Sequence, residues 1–116
     1  MAAVYPNQRP NILVILTSDH QFRAIGAAGN PAIRTPHMDW IARGGVHCTH
    51  CHVSNPVSTP SRASFLTGQY GFRNGVTVSR QPMRPGVPQV ARELSQRGYQ
   101  TAFTGKWHND GRPCHH

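Results

Sequence analysis

The sequence predicts an α/β fold, a partial and mostly parallel sheet flanked by helices. Three observations point there. Asn11-Ile-Leu-Val-Ile-Leu-Thr17 is a continuous apolar run of strand length, the kind buried on both faces beneath helices. Segments of strand and helix character then alternate as strand, helix, strand, helix, helix, strand, with right-handed parallel crossovers expected. Polar clusters follow each apolar segment, and open α/β sheets bind ligands at the carboxyl ends of their strands.

Length and composition narrow the classes. The 116 residues suit one domain, read as a lead over 1–9, a motif-bearing part over 10–108 and a short tail over 109–116. A domain of this size buries less than about 70% of its unfolded surface. Twelve Lys and Arg stand against four Asp and Glu, and eleven of the twelve are Arg. Arginine forks match planar or tetrahedral oxyanions, so phosphate, sulfate or nucleic acid are the partner classes to consider. The arginines are scattered from Arg9 to Arg112; they form no basic tail, and a nucleic-acid partner is not expected. No apolar run approaches the roughly 20 residues that span a bilayer. The start Met1-Ala-Ala-Val-Tyr-Pro lacks the basic and apolar regions of a signal peptide. Taken as the true start it favours the cytoplasm; a different start would favour the periplasm.

In chain order, residues 11–17 form the first expected strand, and Ser18-Asp19-His20-Gln21 follow at its carboxyl end. Asp19 reads equally as a metal ligand or acid/base and as a loop carboxylate capping the next turn. Residues 26–36 read as loop. Thr35-Pro36 opens a helix over residues 37–43, since Thr caps and Pro suits the first helical position. Met38, Ile41 and Ala42 give it an apolar stripe, Gly44-Gly45 stop it, and Met38 and Trp40 are expected to pack.

Val46-His-Cys-Thr-His-Cys-His-Val53 reads as a second strand. Cys48 and Cys51, with the nearby imidazoles and Cys114, His115 and His116, would suit zinc. Strand alternation sends these side chains to opposite faces, however, and buried thiols are the default reading. Three cysteines, an odd count, imply no disulfide framework.

Asn55-Pro-Val-Ser-Thr-Pro-Ser-Arg-Ala-Ser-Phe-Leu-Thr-Gly68 holds the next helix, over 59–67. Ser58 or Thr59 caps it, Pro60 takes the first helical position and Gly68 ends it. Ser58 then lies at the positive end of the helix dipole, and Arg62, one turn on, reaches back to the same spot. A hydroxyl, a helix N-terminus and a fixed cation suit a nucleophile that handles oxyanions; the plainer alternative is a capped helix with a surface arginine. Residues 70–88, rich in Gly, Pro and Arg, read as an extended loop. Val87–Arg97 reads as an amphipathic helix stopped by Gly98. Residues 99–104 read as the third strand, followed by Gly105-Lys-Trp-His108.

Ser58-Thr-Pro-Ser-Arg62 with its trailing Leu-Thr-Gly68 closely resembles the signature of the sulfatases. Pro10-Asn-Ile-Leu-Val-Ile-Leu before Asp19, Gly29-Asn30, residues 35–39 and Thr104-Gly-Lys-Trp-His108 resemble further motifs of that family, in order. The resemblance implies the N-terminal part of the alkaline phosphatase-like sulfatase fold and a formylglycine-dependent sulfuric ester hydrolase. Ser58 would be the formylglycine precursor and a metal ligand. In the hydrated formylglycine one hydroxyl attacks sulfur and the other expels sulfate. Arg62 would stabilise that group, Lys106 would bind sulfate and His108 would hydrogen-bond at the site. Asp19 would ligate Ca2+, and His20 stands where the family often carries Asp or Gln, as a weaker metal candidate.

A serine in the signature implies maturation by a radical S-adenosylmethionine enzyme, and the substrate would be a sulfate-ester small molecule or sulfated glycan. Family members are several times longer. The resemblance therefore implies a fragment, a truncated product or a degenerate relative, incomplete and inactive by itself. Two other functions stay open: a non-catalytic remnant or zinc module built on Cys48 and Cys51, and a phosphate or phosphonate ester hydrolase of the same superfamily.

Overall fold

The computed structural model describes residues 9–109. Met1–Thr49 and His50–His116 make two compact units. Among the described residues no helix is long and apolar enough to cross a membrane.

In the first unit, Gly26–Ala28 forms a single 3-10 turn and Pro36–Gly44 forms helix α1. Pro at the first helical position matches expectation, but Thr35 does not cap through its side chain. Its hydroxyl instead accepts the Gly26 N–H (2.8 Å) and donates to Asp39 Oδ1 (2.8 Å), which also accepts the Ala27 N–H at 2.8 Å. Asp39 thus ties the turn to α1. Gly26 permits this approach, because a Cβ there would meet Asp39 Oδ2 at 2.7 Å. Trp40 and Ile41, at 73% and 59% exposure, do not pack as expected.

The Thr35 hydroxyl first, then the Ala27 N–H and the Arg43 charge, hold the Asp39 carboxyl below its ordinary range, while desolvation opposes them. All of these groups favour the ionised form. A depressed carboxyl contributes stability above its unfolded value, near 3.9, and loses it as pH falls through the lower folded value. Asp39→Asn is therefore expected to melt below the wild type at pH 7, with the gap closing only under strongly acidic conditions. A gap in melting temperature that stays constant from pH 7 to pH 2 would contradict this.

The second unit holds helices α2 (Ser58–Thr67), α3 (Gly71–Asn74) and α4 (Val90–Ser95), with α2 packed on both others. Ala63 and Val76 are its fully buried apolar side chains, joined by Thr59, Pro60 and Asn74. A core this small leans on polar bonding. Asn74 Nδ2 donates to Gln69 O (2.9 Å) and Thr67 Oγ1 (3.3 Å), and its Oδ1 accepts the Val76 N–H at 2.8 Å. Both ends of that amide are satisfied, as burial demands. Helix α4 is shorter than the expected 87–97. Val87 precedes Pro88, which disfavours helical backbone there. At the other end Gly98, with φ 82°, closes a Schellman turn in which Gly98 N–H reaches Ser95 O and Tyr99 N–H reaches Leu94 O.

The expected sheet is not seen. Residues 11–17, 46–53 and 99–104 carry no strand ladder among the described residues. Ile12 to Leu16 are all exposed, Leu13 at 84%. An apolar strand buried on both faces needs a hydrogen-bonded neighbour and covering helices, and the described residues supply neither to these segments.

Candidate active site

The nucleophile candidate sits at the start of α2. Val57 is the N-cap, so Ser58 and Thr59 are the first two helical residues and Pro60 the third, one or two places later than the sequence suggests. Pro60 costs nothing there, because the first N–H groups of a helix have no intrahelical partner. No side chain of the cap residue closes this end. Asn55 starts it instead: its Oδ1 accepts the Val57 N–H (3.1 Å) and its Nδ2 donates to Thr77 O (3.3 Å). Thr59 and Pro60 turn into the core while Ser58 stays half-buried, beside uncapped N–H groups that favour an anion.

Arg62, four residues on from Ser58, does not act alone. Its Nη1 donates to Lys106 O at 2.9 Å, fastening α2 to the Gly105-Lys-Trp-His108 loop across 44 residues of sequence. That loop is built to turn sharply. Gly105 has φ 99° and His108 φ 55°, the left-handed region that is strained for a non-glycine residue. Asn109, 7% exposed, donates from Nδ2 to Trp107 O (3.2 Å), bridging His108. Phe103 meets Trp107 edge-on, with ring centres 5.2 Å apart. Lys106 and His108 themselves remain exposed. Among the described residues, Thr59 Oγ1, Trp107 Nε1 and Asn109 Oδ1 are buried without a hydrogen-bond partner, as are His47 Nε2 and Ser64 Oγ.

Asp19 and His20 belong to the first unit. Asp19 is exposed, also left-handed at φ 53°, with Ser18 Oγ 3.5 Å from its Oδ2. His20 Nε2 lies 3.0 Å from Ala24 O, a bond it makes as donor in the Nε2–H tautomer. The Cys/His segment does not assemble. Cys48 and Cys51 are free and exposed, against the expected buried thiols. His47 stacks on Phe22 at 5.6 Å. No three His, Cys, Asp or Glu side chains among the described residues gather as a metal group. Cys114, His115 and His116 lie outside the described residues.

The Sulfatase family profile matches residues 10–113. The chain belongs to the sulfatase family. It is 41% identical over 101 residues to the N-acetylglucosamine-6-O-sulfatase of Bacteroides thetaiotaomicron, covering 87% of this chain and 18% of that one. Against the steryl-sulfatase of Mus musculus the figures are 42% over 110 residues, 85% and 18%. A solved structure, of a protein in complex with its substrate D-glucosamine-2-N,6-O-disulfate, matches with a TM-score of 0.88 and 39% identity. It covers 92% of this chain and 22% of that one. The sulfatase chain thus spans about a fifth of the length of these relatives.

Two features of this sulfatase segment escape a reading of its sequence. Asn55 and Asn109 organise the two loops, and the signal for the first was present in Asn55-Pro56, since Asn commonly bonds the backbone two residues on. The left-handed backbone at Asp19 and His108 has no compositional signature.

Proposed function

We propose that this chain carries the nucleophile and the sulfate-holding loop of a sulfuric ester hydrolase that acts on a sulfated small molecule or glycan. One observation carries the reading most: the Arg62 bond to Lys106 O, which couples the helix bearing Ser58 to the loop bearing the only lysine. Membership in the sulfatase family supports it, as does likeness to relatives named for sulfated sugars and steryl sulfates.

Ser58 is converted to formylglycine by a serine-type radical S-adenosylmethionine maturase. The hydrated group supplies a geminal diol, which takes up sulfate and releases it without a separate hydrolytic base. The helix N-terminus and Lys106 bind the sulfate oxygens, and Arg62 holds Lys106 in place while adding its own charge nearby. His108, exposed on the loop that the Asn109–Trp107 bond spans, would hydrogen-bond at the site.

The donor chemistry fits a hard cation such as Ca2+. Taken separately, Asp19 in the first unit would offer a carboxylate oxygen and Ser58 in the second a further oxygen. His20 is a poorer donor, since imidazole suits softer metals and its Nε2 faces Ala24 O. Calcium takes six to eight oxygens, so other donors must complete the shell. The 116 residues by themselves are expected to show no turnover. In a chain of the relatives' length, residues 11–17, 46–53 and 99–104 join a mostly parallel sheet.

The test is a substrate panel on such a chain, coexpressed with the maturase. Sulfate esters are expected to be cleaved in preference to matched phosphate and phosphonate esters. Preference for the phosphorus esters would overturn the assignment in favour of a related hydrolase.

A further inference from the structure

We propose that Arg80 is a specificity residue, taking a second anionic group of the substrate whose sulfate ester lies at Ser58; this rests on the sulfuric ester reading above. The placement comes from two tethers in one unit. Asn55, which starts the Ser58 helix, donates to Thr77 O at 3.3 Å. Gln81 Oε1 then folds the chain back, accepting Thr77 N–H (2.8 Å), Thr77 Oγ1 (3.0 Å) and Val78 N–H (3.4 Å). What projects from this staple is the turn at Ser79–Arg80, rooted beside the start of α2.

Arg73 and Arg92 of this unit are exposed too, but they sit on α3 and α4, and of the described arginines only Arg80 lies in this turn. Arg84 lies along Gly75, and its N–H bonds Asn74 O at 2.9 Å. Arg97 pairs with Glu93 at 3.1 Å, the one carboxylate among the described residues of this unit. Arg80 is exposed and has no hydrogen bond or ion pair among the described residues. Its backbone sits at φ 63°, where Gly or Asn would be easier. An unpaired guanidinium held in a strained, side-chain-stapled turn beside an anion-handling site fits recognition of a sulfate or carboxylate through its planar fork.

The test compares two sulfated disaccharides, identical except that one carries a second sulfate, by their dissociation constants for the wild type and Arg80→Gly, both in a matured chain of the relatives' length. Glycine relieves the left-handed strain, so the variant is expected to melt no lower than the wild type. The wild type is expected to bind the disulfated sugar about tenfold more tightly than the monosulfated one, a preference that shrinks in high salt. Arg80→Gly is expected to bind both alike, at the wild type's monosulfated affinity. A wild type without preference, or a variant that keeps it, would overturn the role of Arg80. If neither sugar binds the wild type, the sulfuric ester reading itself fails, and Arg80 with it.

Discussion

Ser58→Ala is expected to remove sulfate ester hydrolysis by about four orders of magnitude or more in the matured, full-length context, since the covalent nucleophile is lost. Stability should hardly change. Ser58 is half-buried at the first helical position, while the buried contacts of that turn come from Thr59, Pro60 and Ala63, and the helix is started by Asn55 rather than by the serine hydroxyl. The measurement is initial rate beside melting temperature. A variant that keeps its fold and a substantial part of its rate would show that Ser58 is not the nucleophile.

Arg62→Ala is expected to produce the second-largest effect, a fall of about 10²–10³ in kcat/KM. Arg62 does two things that separate experimentally. Its charge lies one turn from Ser58, and its Nη1 holds Lys106 O. Loss of charge alone would weaken the transition state; loss of the tether would also release the loop and weaken inhibition by inorganic sulfate. Both are expected to fall, and Arg62→Lys should restore neither fully, because an ammonium lacks the planar fork. Unchanged sulfate inhibition in Arg62→Ala would mean that the tether does not position Lys106.

Local chemistry was the legible part of this chain. Thr35-Pro36 and Gly68 mark helix ends within a residue or so of where α1 and α2 begin and stop, because caps and prolines act over one turn. The ordered motifs sufficed to recognise the family. The expected strands were not visible as strands in the structure, because a ladder depends on neighbours that a local apolar run cannot supply. Ile12–Leu16 show this, apolar throughout yet exposed. The pairing of Arg62 with Lys106 was equally hidden: a 44-residue separation has no periodicity to read. The strain at Asp19 and His108 is set by tertiary context, and it falls on two of the residues that the sequence alone nominates for chemistry.

The central claim is that Ser58 becomes the catalytic aldehyde, and the most direct measurement is the mass of the peptide that contains it after coexpression with a serine-type maturase. Conversion of serine to formylglycine removes two hydrogen atoms, so that peptide is expected to be lighter by that amount and to react with a hydrazine probe, whereas the Ser58→Ala peptide should do neither. An unmodified Ser58 peptide, from cells in which the same maturase converts a control sulfatase, would contradict the account.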